Sequence, residues 1–260
     1  MAYSRAVARQ AKSSGKPRKG KATGSKAKAG TAKKARIKPV RWLLRMSLRA
    51  LAVAVVLVLL LVLVTSKANP PMGVYMRQEQ ARLGTIERTW VPLSDVAPVM
   101  ARSVVAAEDA NFCTHWGFDM SAIRTAIEQG GRRGGSTITQ QVVKNVFLWH
   151  GRSYVRKALE ALLTPVVETF WSKRRIVEVY LNVAEFDEGI FGVDAAARHY
   201  FGVAPDTLSA LQAARLAAVL PAPQSWSASN PSNYVRKRTG MIMDGAATIR
   251  ADGRAACFED

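Results

Sequence analysis

Residues 50–64 read ALAVAVVLVLLLVLV, fifteen apolar positions without a break, and nothing else in the 260-residue chain limits its architecture as much. With Leu48 before it and Thr65 and Ser66 after it, the run approaches the ~17–20 residues that a tilted membrane helix needs. Arg45 and Arg49 are placed to snorkel toward the interface. A buried core helix and a cleavable secretory signal are the competing readings. A core helix is not Leu and Val on every face, a signal rarely carries a basic arm of nearly fifty residues, and Ser66-Lys67-Ala68 is a mediocre cleavage site. The sequence therefore predicts an uncleaved, single-pass anchor over 42–66.

The charge distribution gives that anchor a direction. The formal net charge is +19, yet residues 1–49 hold 16 Lys and Arg and no Asp or Glu, leaving 22 basic against 19 acidic residues beyond. Lys and Arg are retained on the cytoplasmic side, which predicts a cytoplasmic N-terminus and residue 67 onward outside the cytoplasm. The arm over 1–41 is rich in Lys, Ala, Gly and Ser without hydrophobic periodicity, and reads as disordered. Nucleic acid is not expected as a partner, because the excess charge sits in this arm and the remainder is nearly balanced.

After Asn69-Pro70-Pro71, a linker and membrane-proximal segment over 67–91 leads into a mostly helical domain over 92–240, followed by a tail over 241–260. Helices are expected over 99–107, over 120–128 with Asp119 as cap, and over 137–146, where Thr137-x-x-Gln140 has capping-box spacing. An apolar stripe through Leu159, Leu163, Val166, Phe170, Val177 and Leu181 predicts a long helix over 156–182, kinked at Pro165. Further helices are expected over 194–200 and 208–220, and strand-like alternation is confined to 85–91. Two cysteines, Cys113 and Cys257, exclude a disulfide scaffold and any four-cysteine zinc site, while leaving one bridge open in an oxidising compartment. His115, His150 and His199 have no metal-ligand spacing, so no metal site is assigned.

Three polar segments break the helical pattern. Glu108 and Asp109 follow the apolar run SVVAA, which sets a carboxylate at the core edge where desolvation raises its pKa toward a general base's range. The alternative is a solvated helix end, with His115 a hydrogen-bonded loop residue. Arg132-Arg133-Gly134-Gly135-Ser136-Thr137 then opens a helix whose Gln140 and Lys144 share a face suited to an anion. This is not a Walker loop, since Lys144 falls nine residues after Gly135. An ordinary capping box with a polar face explains it equally. Arg152, Arg156 and Lys157 precede Glu160, and by themselves Arg156 and Glu160 need be no more than an i, i+4 surface pair.

In order, the segments read E-D-x-x-F-x-x-H-x-G-x-D, G-G-S-T-I-T-Q-Q-x-x-K-N and R-K-x-x-E, then Val179-Tyr180-Leu181-Asn182. This series resembles the peptidoglycan glycosyltransferases that polymerise lipid II, in their monofunctional biosynthetic form, related to the glycosyltransferase domain of class A penicillin-binding proteins. The likeness runs from about Pro92 to Arg238. It implies a mainly α, lysozyme-like, two-lobed domain with a membrane-facing hydrophobic lobe, anchored in the bacterial inner membrane by one helix. It implies that Glu108 is the general base, that Lys144 and Arg152 bind the donor diphosphate, and that Glu160 is a second essential carboxylate. Asp109, Phe112, His115, Ser136, Thr137, Gln140, Gln141, Asn145, Arg156 and Lys157 match positions that shape the cleft. No tightly bound cofactor is implied, but Mg²⁺ or Mn²⁺ bridging the substrate's diphosphate fits the chemistry.

The implied partners are lipid II, the growing lipid-linked glycan, the membrane, and other cell-wall synthases or division proteins. The chain length leaves no room for the serine transpeptidase domain of bifunctional relatives, and Ser13-x-x-Lys16 is a spelling match in the basic arm. A lytic transglycosylase or muramidase would also use a cleft Glu, as a general acid, but has no need of Lys144, Arg152 or an anchor. A non-catalytic membrane scaffold would leave the three segments unexplained.

Overall fold

The computed structural model describes residues 39–128 and 135–259, apart from the Ile127 side chain. Most of the basic arm, and Arg132, Arg133 and Gly134 of the second segment, lie outside the described residues. Two compact units divide at Leu48 and Arg49. Helix α1, Pro39–Thr65, is 27 residues long, which at 1.5 Å per residue spans about 40 Å. Among the described residues it is the one helix long and apolar enough to cross a membrane. It starts earlier than expected: Pro39, Val40 and Arg41, read as arm, form its first turn, where a proline lacking N–H is well suited.

In the unit from Arg49 onward, a further helix occupies the segment read as a linker. Helix α2, Val74–Leu83, buries Met76 and Glu79 three residues apart and packs on α5, Ile138–Phe147. Strand β1, Glu87–Arg88, follows, then a 3-10 turn over Leu93–Asp95. Helix α3, Pro98–Glu108, begins with proline at its first position and buries Met100, Ala101, Val104 and Val105. Helix α4, Met120–Glu128, is capped by Asp119, whose Oδ1 accepts from the Ser121 and Ala122 amides at 2.9 Å.

The helix expected over 156–182 is two helices. Helix α6, Tyr154–Phe170, runs on through Pro165, and α7, Lys173–Val183, starts after a break at Trp171 and Ser172. The break lies there because the Trp171 ring is buried and Ser172 caps α7, accepting from the Arg175 amide at 3.2 Å. Trp171 also donates to the Val62 carbonyl at 2.8 Å, and Arg175 to the carbonyls of Thr65 and Ala68 at 3.1 and 2.6 Å. The end of α1 is thus bound to the α6–α7 corner.

Strands β2, Glu185–Asp187, and β3, Ile190–Phe191, complete a small sheet in the order β1-β3-β2, with β1 parallel and β2 antiparallel to β3. Helix α8, Val193–Phe201, ends on Gly202 in the left-handed conformation, φ +66°. Helix α9, Ala210–Val219, opens with a Ser209/Gln212 capping box. Helix α10, Asn233–Ala251, runs unbroken across the expected domain end at residue 240 and packs with α9 against α3. A last turn of helix, α11, covers Ala256–Glu259. Cys113 and Cys257 form a disulfide across 144 residues of chain. In the chain-entropy account, a loop of that length contributes about 5 kcal/mol.

Candidate active site

Glu108 is the last residue of α3, and Asp109 caps that helix end. The two adjacent carboxylates have different surroundings. Asp109 is buried, with Oδ1 2.8 Å from His115 Nε2 and Oδ2 accepting the Ile138 amide at 3.0 Å. It joins the end of α3 to the N-terminus of α5, where a negative charge complements the helix dipole. Glu108 retains partial exposure, its side chain at 15%. Its Oε2 accepts from Gln141 Nε2 at 3.0 Å, and its Oε1 lies 3.2 Å from Arg238 Nη2 on α10. Tyr180 on α7 donates to Gln141 Oε1 at 3.2 Å, which fixes the orientation of the amide that meets Glu108. Burial raises the Glu108 pKa, with Asp109 adding, while Gln141, Arg238 and Lys144 pull it back.

Helix α5 carries the second segment. Thr137 caps it, accepting the Gln140 amide at 3.3 Å, while Gln140 returns Oε1 to the Thr137 amide at 3.0 Å. Thr137 also donates to the Gly117 carbonyl at 2.8 Å, which engages both side chains in holding the cleft wall. Lys144, two turns from the cap, is half-buried and makes no hydrogen bond or ion pair within 4 Å among the described residues. Its pKa is lowered by burial, with Arg156 and Lys157 adding and Glu160 and Glu108 opposing. Both carboxylates attract this cation, Glu160 more than Glu108.

Glu160 is buried on the inner face of α6, with Thr164, Val167 and Glu168 at the same helical spacing. Arg156 Nη1 lies 2.6 Å from Glu160 Oε2, and Lys157 pairs with the other oxygen. Lys157 also donates to Ser136 at 3.2 Å, joining the second and third segments. Arg152 is exposed ahead of α6 and makes no such contacts among the described residues. Phe112 is fully buried, and Lys173 lies 4.2 Å from its ring centroid while donating to the His115 carbonyl and to Glu168. Gly117, at φ +85°, is required here because a Cβ would stand 2.6 Å from Thr164 Cγ2.

A cavity of about 360 Å³ opens beside Lys144, Gln141, Asn145 and Tyr180, and a second of about 270 Å³ lies against Glu108, Asp109, Ser136 and Thr137. Asn145 holds His150 at 2.9 Å, and the His150 ring stacks on Tyr75 with centroids 3.7 Å apart. Burial, with Lys144 and Arg156 adding, brings the His150 pKa down to about 4, so the His150 ring is neutral at pH 7. The structure thus sets Gln141, Lys144 and Asn145 against the first cavity and Glu108, Asp109, Ser136 and Thr137 against the second, with the Gln141–Glu108 hydrogen bond linking the two sets and Glu160 joined to the second through Lys157 and Ser136. Tyr180, Tyr75 and His150 line the first cavity and Arg238 pairs with Glu108, and these four were not singled out by sequence. Tyr180 lay within the quoted Val-Tyr-Leu-Asn run, and Arg238 marked the edge of the likeness, but neither position has a local signal of its role.

Residues 76–247 match the family model described as Transglycosylase. A biosynthetic peptidoglycan transglycosylase of Jannaschia sp. (strain CCS1) is 60% identical over 220 residues, 84% of this chain and 90% of that protein. One of Caulobacter vibrioides is 46% identical over 223 residues, covering 84% and 97%. A third, of Pseudomonas fluorescens (strain Pf0-1), is 50% identical over 179 residues, covering 67% and 75%. The predominance of helices agrees with the lysozyme-like fold expected from the motif series. With the match spanning α2 through most of α10, and relatives at this identity along most of their length, the chain belongs to the transglycosylase family.

Proposed function

We propose that this chain polymerises lipid II into β-1,4-linked glycan strands, releasing undecaprenyl diphosphate. The observation that carries the reading is Lys144, a half-buried cation with no direct partner among the described residues, coupled to both Glu108 and Glu160 beside an open cavity. A cation left unpaired at the cost of its own desolvation fits a site whose ligand supplies the anion. Glu108 takes the proton from the 4-hydroxyl of the acceptor's N-acetylglucosamine as that oxygen attacks C1 of the donor's N-acetylmuramic acid. The α-linked donor becomes a β bond in a single displacement, with a sugar hydroxyl where an inverting hydrolase places water. The leaving diphosphate is a weak base and needs positive charge rather than a proton, which Lys144 supplies, with Arg152 completing the clamp from the exposed loop.

Glu160 holds Arg156 and Lys157 beside the donor site. A divalent ion would travel with the diphosphate, since Glu108, Asp109 and Glu160 are each engaged by Gln141 and Arg238, by His115 and the Ile138 amide, and by Arg156 and Lys157. No step is assigned to it. The raised Glu108 pKa would equally suit a general acid in glycan cleavage, but cleavage has no use for Lys144.

The Cys113–Cys257 disulfide supports placing this domain outside the cytoplasm, as the basic arm does. In that orientation α1 crosses the inner membrane once. The exposed Tyr154, Val155, Leu162 and Phe170 of α6 are the apolar side chains we assign to the lipid surface. Purified protein given labelled lipid II, with and without Mg²⁺, tests the reading: polymer from the wild type and none from Glu108→Gln supports it. Absence of polymer from folded wild type, or shortening of added glycan, overturns it.

A further inference from the structure

The segment after α10 has no part in the proposed chemistry, yet it converges on the loop that follows Glu108. Cys257 is bonded to Cys113, their Cα atoms 5.7 Å apart. Arg254 Nη1 donates to the Ala110 carbonyl at 3.0 Å, and the buried Phe258 ring lies 6.4 Å from that of Phe112. The segment is itself tied down on the far side: Arg174 of α7 donates to the carbonyls of Phe258 and Glu259 at 3.1 and 3.3 Å, and Arg102 of α3 pairs with Glu259 at 3.4 Å. Three handholds, on Ala110, Phe112 and Cys113, therefore fall on the short stretch between Glu108 and Thr114. Asp109 pins the same stretch from α5 through the Ile138 amide.

We propose that residues 252–259 act as a covalent clasp that positions the Glu108–His115 loop for catalysis, with the Cys113–Cys257 bond as its latch. The inference rests on the proposed function, because it is turnover that the clasp serves. Cys113, Cys257, Arg254 and Phe258 are positioning residues, none of them lining the two cavities beside Glu108 and Lys144. A base displaced by a fraction of an ångström loses rate although the substrate still binds. Opening the latch is a defined exchange: a dithiol such as dithiothreitol attacks the disulfide, the S–S bond breaks, Cys113 and Cys257 become thiols, and the reagent leaves as its cyclic disulfide. Turnover would thereby follow the thiol–disulfide state of the compartment.

The test uses the full chain in detergent micelles, before and after dithiothreitol, with thiol alkylation verifying cleavage. Two readouts are taken: steady-state polymerisation of lipid II, and hydrogen exchange of the backbone. The expected result is a fall in kcat of about fivefold or more, with KM within about twofold. Reoxidation should restore kcat, and exchange should rise over 109–118 while α5 to α7 stay protected. The double variant Cys113→Ser/Cys257→Ser should match the reduced wild type and ignore dithiothreitol. Arg254→Ala, a change at a half-buried side chain that leaves the bond in place, should lower kcat by a smaller factor.

An unchanged kcat after verified cleavage overturns the proposal. So does an equal loss in the double variant on adding dithiothreitol, and so does exchange that rises across the whole domain, which would make the bond a general stabiliser. If the oxidised wild type makes no polymer, the proposed function fails and the exchange arm decides alone: protection of 109–118 that reduction does not alter overturns the clasp.

Discussion

Gln141 donates to Glu108 Oε2 at 3.0 Å while its own carbonyl accepts from Tyr180, so the orientation of the candidate base is set from a buried phenol on another helix. A neutral amide at 108 keeps the Gln141–Tyr180 bond only by presenting its own oxygen to the Gln141 nitrogen, which turns its new nitrogen toward Arg238.

Glu108→Gln is informative on two axes. Burial holds the Glu108 pKa above its ordinary value, so over the interval between the two values the folded protein retains a proton that the unfolded chain has lost. The resulting contribution to stability is full below the ordinary value and is lost as pH rises through the folded one. At neutral pH, Glu108→Gln is therefore expected to raise Tm, measured by calorimetry. Polymerisation should fall by at least about 10²–10⁴, the usual worth of a general base. A lower Tm would mean that the ionised carboxylate supports the fold.

Arg238 favours the charged form of Glu108. Arg238→Gln removes that support, so the acid limb of the kcat/KM profile should move to higher pH, and Arg238→Lys should recover part of the shift. A limb that stays in place would assign the titration to another group.

Lys144→Ala should lower kcat/KM for lipid II by about 10²–10³, the scale of one lost charge-stabilising donor. Its Tm should stay close to wild type, because the ammonium has no direct partner to lose among the described residues. Equal losses of activity and Tm would make Lys144 a structural residue.

Glu160→Gln is expected to behave differently. The side chain is buried, at 3% exposure, and Arg156 beside it is at 13%, so the substitution leaves a nearly buried guanidinium with a weaker partner. A loss of about 2–4 kcal/mol is expected in denaturant unfolding, most of it through Arg156, since Lys157 is half exposed. Activity should fall with it.

Gly73 tests the segment between anchor and domain. A Cβ there would stand 2.0 Å from the Asn145 carbonyl oxygen, a contact with backbone that no side-chain rotation relieves. Gly73→Ala should cost about 1–3 kcal/mol and reduce activity by displacing Lys144 and Asn145 of the same helix. Wild-type stability in this variant would mean that α2 shifts freely on α5.

Much of this was legible in sequence where the signal is local. The Thr137/Gln140 box, the Asp119 cap and the apolar stripe of α3 each lie within a few residues of the feature they specify. The break between α6 and α7 was missed, the one irregularity read into that stretch being a kink at Pro165, because its cause, burial of Trp171 beside Val62, depends on packing 109 residues away. Helix α2 was missed for a related reason: its ten residues bury only Met76 and Glu79, too few for periodicity to register. Among the candidate site residues, the carboxylates and Lys144 carried motif spacing. Arg238 reaches Glu108 across 130 residues, and only the fold brings them together.

The corner joining α1 to Trp171 and Arg175 makes the anchor a bracket rather than a leash. A freely jointed tether would let the cleft wander over many heights above the bilayer, and a substrate whose tail stays in the leaflet would have to find it. With Val62 fully buried and the Thr65 and Ala68 carbonyls held by one guanidinium, the C-terminal end of α1 is fixed on the α6–α7 corner. Under the proposed function, a substrate tailed in the leaflet would then meet the domain at a depth that this corner sets, by diffusion in two dimensions.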